Sequence, residues 1–201
     1  AGNCPQDELH DFFQLINKNT DRLIRMVNTM LDIERIEMGA ATALHYAQLD
    51  LAVVIRETIA GLACLAEEKG VRFAAQLPEP LWLRADEDRI RQVLTNLLAN
   101  AVKFAPAQST VTIRAFAEEG FAAVEVQDQG PGIPQAEREK VFDKFYKLGN
   151  KEGSGLGLAI CRSIITAHGG TIGVADKGVG ACLYFRLPTA PEAKPARDKG
   201  E

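Results

Sequence analysis

The sequence predicts an α/β protein, a sheet covered by helices on at least one face, preceded by one long heptad-patterned helix. Two patterns point to the sheet and its cover: six short segments rich in β-branched and aromatic residues, and amphipathic helical stretches set among them. A third points to the leading helix, where apolar residues recur in alternating four- and three-residue steps. With 201 residues and 46% hydrophobic content, the chain can build a core for one domain plus an appendage.

The leading helix carries Leu9, Phe13, Ile16, Leu23, Val27 and Met30 on its seam, with Thr20 filling the gap. Lys18, Asp21, Arg22 and Arg25 flank this narrow stripe, which suits packing against other helices better than lying on a sheet. The helix is expected to end near Gly39. After a short linker, Asp50 offers an N-cap to a second amphipathic helix with Leu51, Val54, Ile55, Leu62 and Leu65, closed by Gly70. Strands are predicted at 71–76, 81–85, 109–117, 121–128, 171–175 and 181–187, and the clearest helices at 86–104 and 156–168. From Thr189 a Pro-, Ala- and Lys-rich tail lacks any apolar period and is predicted to be disordered. The chain thus divides into residues 1–40, 46–188 and 189–201.

Composition excludes several classes. The 23 basic and 27 acidic residues are interspersed, for a net charge of -4, which argues against general nucleic-acid binding. Cys4, Cys64, Cys161 and Cys182 lie far apart, with no CxxC pair and no histidine placed to complete a metal site, as expected of a reduced cytoplasmic protein. No apolar run approaches the roughly 20 residues of a membrane span, so this segment is not expected to contact a membrane.

Three stretches carry possible chemistry. In the 86–104 helix, Asn96, Asn100 and Lys103 fall at i, i+4 and i+7, on a different face from Ile90, Leu94, Leu97 and Ala101. An amide oxygen suits Mg²⁺ and a lysine suits phosphate, although by itself such a stripe is more often a solvated face. Asp128-Gln129-Gly130-Pro131-Gly132 ends a predicted strand, where a carboxylate could accept from an adenine amino group and glycines allow close approach. An ordinary Gly/Pro turn reads the same way. Gly153-Ser154-Gly155-Leu156-Gly157-Leu158 runs into a helix start, an arrangement that favours phosphate. It is neither a Rossmann nor a Walker loop, and the H-R-D and D-F-G elements of protein kinases are missing.

Taken together, in order and spacing, these stretches resemble the catalytic domain of bacterial sensor histidine kinases. Gln92 to Phe104 is similar to that family's N box, Asp128 to Gly132 to its first glycine box, Val141 to Tyr146 to its F box, and Gly153 to Leu158 to its second glycine box. His168-Gly169-Gly170 and Gly178-Val179-Gly180 look like its C-terminal elements, and Leu31 to Gly39 is similar to the end of the second dimerisation helix. The resemblance covers about residues 7–188. It implies a two-layer mixed sheet with helices on one face, the histidine-kinase and gyrase type of ATPase fold, binding ATP and Mg²⁺.

Residue by residue, it implies that Asn100 binds Mg²⁺, Lys103 contacts phosphate with Asn96 beside them, and Asp128 holds the adenine amino group. Gly130 and Gly132 would shape the base pocket, Gly155, Leu156, Gly157 and Leu158 would offer backbone amides to the phosphates, and Tyr146 and Lys147 would border the nucleotide. The partners implied are a first dimerisation helix absent from this sequence, a second subunit of a homodimer, and a response regulator. The resemblance is compatible with a parent anchored in the plasma membrane. Departures are a lid of only Lys147 to Glu152, and Ala181-Cys182 where the family often has a hydroxyl residue. A gyrase-like hydrolase would need an acidic residue where Asn96 stands. A degenerate docking module is disfavoured by the intact Asn100, Asp128 and glycines. None of the three histidines is expected to accept phosphate: His10 opens the wrong helix, His45 lies in a linker, and His168 is read as a partly positive cap at a helix C-terminus.

Overall fold

The computed structural model of the chain describes residues 12–13, 16–17, 20, 23–24, 26–28, 30–34, 44–149 except 79, and 153–189. The predicted helix end near Gly39 and the predicted tail beyond Thr189 lie outside them. The described residues from 12 to 34 are helical (α1). There follow β1 (Ala47–Asp50), α2 (Leu51–Gly61), α3 (Ala63–Glu68), β2 (Arg72–Gln76), β3 (Trp82–Ala85), α4 (Glu87–Phe104), β4 (Thr110–Glu118) and β5 (Phe121–Gln127). Two short 3₁₀ turns, Gln135–Glu137 and Lys140–Phe142, precede α5 (Gly157–Ala167), β6 (Thr171–Ala175) and β7 (Cys182–Pro188).

The main sheet has the order β2-β4-β5-β7-β6, with β2 parallel to β4 and every other pair antiparallel. Period-two alternation fixes its register. One row across four strands reads Ile113, Val126, Leu183 and Val174, and the next apolar row reads Ala115, Val124, Phe185 and Ile172. These rows pack under α4 and α5 in a single core. The intervening row, Arg114, Glu125, Tyr184 and Gly173, faces outward, where Lys177 pairs with Glu125 at 3.1 Å. A mixed sheet with helices on one face is therefore what the alternation builds.

All six predicted strands and both predicted central helices form, within a residue or two of their expected ends. Two expectations fail. Residues 47–50, read as linker, form β1 and pair antiparallel with β3; Ala-Gln-Leu-Asp carries no β-branched or aromatic signal, so only the partner strand selects it. The single helix expected from Asp50 to Gly70 breaks at Leu62. Gly61 is a poor helix former at that point, and the new axis buries Ala66 while leaving the predicted core residue Leu65 exposed.

Helix α4 is secured at both ends. Asp86 caps it by accepting from the Arg89 N–H at 3.2 Å, and Glu87 and Asp88 suit the positive end of the dipole. Asp86 also accepts from the His45 N–H at 2.8 Å, and its own N–H donates to His168 Nε2 at 3.1 Å. His168 Nδ1 in turn lies 2.8 Å from the Ile164 carbonyl, so Nδ1 carries the proton. The reading of His168 as partly positive is thereby corrected: burial pushes its pKa down, against smaller opposing effects of the Ile164 carbonyl and Asp86. A neutral imidazole accepting one hydrogen bond and donating another ties the end of α5 to the start of α4.

The seam of α1 is open, with Phe13, Ile16, Leu23, Val27 and Met30 all exposed. A neighbouring flank of the same helix meets the domain. Ile33 is fully buried in the common core, Met26 packs against that core, and Asp32 pairs with Arg89 at 3.2 Å.

Because the imidazole is held below its ordinary value, the unfolded chain binds the proton first as pH falls. Stability tied to His168 is fully present above about pH 6.5 and is lost as pH drops through the lower folded value. Thermal unfolding midpoints should fall between about pH 7 and about pH 5.5, and His168→Gln should flatten that slope. An unchanged slope in the variant would refute the assignment.

Candidate functional site

A cavity of about 310 Å³ opens between α4, the loop after β5 and the start of α5. Ten of the twelve predicted site residues line it: Asn96, Asn100, Lys103, Asp128, Gly132, Tyr146, Lys147, Gly155, Gly157 and Leu158. The other two serve behind the wall. Leu156 is fully buried in the core and its N–H donates to Ser154 Oγ at 3.2 Å, so its amide is engaged within the loop rather than offered to a ligand as expected. Gly130 backs Asp128, donating its N–H to Oδ1 at 2.8 Å.

Asp128 stands at the end of β5 and is buried. Its Oδ1 accepts from both Gly130 and Ala181, the latter at 3.0 Å, and its own N–H donates to the Ala181 carbonyl at 2.9 Å. These bonds hold the carboxylate rigid and leave Oδ2 without a protein partner among the described residues. Ala181, which lacks the expected hydroxyl, acts here through its backbone. The neighbouring Gly180 is required, since a Cβ there would sit 1.8 Å from the Asp128 carbonyl oxygen. Apolar Ala101, Ile133, Val141 and Leu183 also line the cavity; the sequence singled out none of them as a site residue, because they contribute only shape.

The other end is polar. Asn96, Asn100 and Lys103 project from successive turns of α4. Gly157 lies directly beside Asn96, as a Cβ on it would meet Oδ1 at 3.5 Å. Under the same helix, burial pushes the Cys161 thiol up to about 12, and with its Sγ 3.9 Å from the Val93 carbonyl that sulfur remains a neutral packing group. Helix α5 begins here without a side-chain cap on its first N–H groups, which leaves them for a ligand. Between the two ends, the Tyr146 hydroxyl is bonded to Glu137. The loop that carries Lys147 and Leu148 is pinned where Phe145 N–H donates to Gly155 O at 3.0 Å. Gly155 has φ +73° and no room for a Cβ against the Phe145 backbone.

One end of the cavity is thus apolar with a single fixed acceptor, and the other is suited to anions. Among the described residues no group of three or more His, Cys, Asp or Glu side chains could hold a metal. No described helix is long and apolar enough to cross a membrane.

Residues 85–191 match the family model described as histidine kinase-, DNA gyrase B-, and HSP90-like ATPase. The chain is 43% identical to the sensor protein KdpD of Escherichia coli (strain K12) over 178 residues, 84% of this chain but 19% of that protein. The solved structure of full-length ShkA in complex with AMPPNP superposes with a TM-score of 0.80 at 34% identity, covering 94% of this chain and 40% of that one. Histidine kinase ThkA, solved with response regulator protein TrrA, gives a TM-score of 0.77 at 28% identity over 96% of this chain and 55% of its own. The match therefore spans only part of each longer relative. The chain belongs to the histidine kinase-, DNA gyrase B- and HSP90-like ATPase family, as a catalytic domain of the sensor histidine kinase type.

Proposed function

We propose that the chain binds Mg·ATP in this cavity and, within a longer parent, presents the γ-phosphoryl to a histidine on a helix outside these 201 residues. The observation that carries the reading is the joining, in one cavity, of a rigid carboxylate with one uncommitted oxygen to amides, an ammonium and uncapped helix N–H groups. Asp128 Oδ2 accepts from the adenine amino group and repels a guanine carbonyl oxygen at the same place. Lys103 and the first N–H groups of α5 neutralise the phosphates.

Asn100 is half-buried on the same wall, a neutral oxygen donor of the kind Mg²⁺ accepts alongside phosphate and water. The ion, when bound, supplies charge neutralisation across the phosphoryl oxygens. The incoming histidine nitrogen forms the N–P bond as the bond to the β–γ bridging oxygen breaks, and ADP leaves. Asn96, an amide, cannot activate water as a general base, which favours transfer over hydrolysis.

The domain division proposed is residues 46–188 for nucleotide binding and residues 1–40 for the second helix of a dimerisation hairpin. In the parent, the exposed seam of α1 is covered by the first helix of the hairpin and two helices of a second subunit, forming a four-helix bundle. A response regulator then receives the phosphoryl group; the ThkA complex with TrrA supports such a partner.

Three outcomes test this reading. Asp128→Asn should weaken ATP binding by about 1–3 kcal/mol, because a charged acceptor becomes an amide of ambiguous polarity; calorimetry finding unchanged affinity would contradict the adenine assignment. Asn100→Ala should abolish the tightening of ATP binding by magnesium while retaining most of the affinity for adenosine. Equal tightening in the variant would show that the ion is held elsewhere. The purified chain incubated with radiolabelled ATP should acquire no acid-labile phosphate, and a separate subunit carrying the acceptor helix should become labelled on its histidine. Label on His10 of the chain alone would overturn the assignment of α1.

A further inference from the structure

We propose that Lys69 is a positioning residue for Lys103: it holds the last turn of α4 from outside the cavity and so sets where the Lys103 ammonium meets the phosphates. The inference rests on the nucleotide reading above.

The last carbonyls of a helix have no partners within it, and an end left so frays or tightens. In α4 they can be accounted for one by one. The Ala101 carbonyl accepts from the Ala105 N–H at 2.9 Å. Those of Val102 and Lys103 both accept from Lys69 Nζ, at 2.9 and 2.6 Å. The Phe104 carbonyl is pressed against the first glycine box, where a Cβ on Gly130 would stand 2.6 Å from its oxygen. The turn thus lies between a charged donor on one side and the closely approaching Gly130 backbone on the other.

Lys69 reaches this point from the end of α3, where it is the C-cap and Gly70 follows with φ +68°. Its bonds are charge-assisted and bridge elements 33 and 34 residues apart in sequence. What they hold in place is the residue that needs it most. Lys103 is exposed and lies at the cavity's polar end. Its Nζ lies 3.5 Å from where a Gly153 Cβ would be, and 5.3 Å from the Phe104 ring centroid. A long, flexible side chain is aimed by its backbone, and that backbone's own carbonyl is one of the two that Lys69 grips.

The test is calorimetric titration of the full chain with Mg·ATP and with adenosine, for the unaltered protein, Lys69→Met, Lys69→Arg, Lys103→Met and the Lys69→Met/Lys103→Met double variant. Lys69→Met keeps the aliphatic stem and removes the cation. It should lower ATP affinity roughly five- to tenfold, the share of one charge-assisted contact that mispositioning forfeits, and leave adenosine affinity unchanged. Lys69→Arg should recover most of the loss. On the Lys103→Met background, Lys69→Met should have no further effect, because the residue through which it acts is gone. Equal losses for ATP and adenosine, or an undiminished loss on the Lys103→Met background, would reduce Lys69 to a stabilising contact and overturn the proposal. Binding of ATP by Lys69→Met at the unaltered affinity would also overturn it while leaving the nucleotide reading intact. Failure of the unaltered chain to bind ATP would overturn both.

Discussion

The burial of one face of α4 on the sheet is the constraint on which the rest of this molecule depends. Ile90, Val93, Leu94, Leu97, Leu98 and Ala101 are almost wholly buried, and α4 meets α2, α5, β4 and β5. A helix seated by that much apolar area has no rotational freedom, so its other face points where the geometry of 3.6 residues per turn sends it. Asn96, Asn100 and Lys103 are therefore aimed by hydrophobic burial, although none of them contributes to it. The ends of the helix add axial restraint, through Asp86 and His168 at the start and Lys69 at the finish.

The opposite wall of the cavity obeys a different rule, that of backbone approach. Asp128 can be both buried and rigid because two backbone N–H groups converge on one of its oxygens, and this is possible only where Gly130 and Gly180 let neighbouring backbone come close. Gly155 does the same farther along the chain, letting its backbone lie against that of Phe145. The start of α5 has no side-chain cap, so its first N–H groups and the positive end of its dipole favour negative charge without any dedicated side chain.

Helix α1 divides its surface between two partners. Met26 and Ile33 meet the nucleotide domain, and Asp32 pairs with Arg89, three residues into α4 from its cap. The heptad seam on the neighbouring face stays exposed. Any movement of α1 relative to the domain must break or remake the contacts at Ile33 and Arg89. The base of α1 is therefore in mechanical contact with the helix that carries three of the polar groups lining the cavity.

Much of this was legible in one dimension. The six strands and the two central helices were readable because period-two and helical patterns are local records of which side faces the core. The glycine boxes and the polar stripe of α4 were readable for a similar reason, as they encode backbone freedom and facing within one element. What escaped was non-local. β1 exists because β3 lies beside it, and the break at Leu62 exists because Ala66 finds burial that Leu65 cannot. The neutral state of His168 depends on a backbone N–H 82 residues away and on burial, neither of which a sequence states. The apolar lining by Ala101, Ile133 and Leu183, and the grip of Lys69 on the end of α4, likewise arise only when distant segments meet. The sequence by itself determined which elements form and which polar groups share a face, because those depend on backbone propensity and periodicity. Tertiary structure alone decided which groups meet and which protonation state a buried group keeps, because those depend on packing and desolvation by residues remote in the chain.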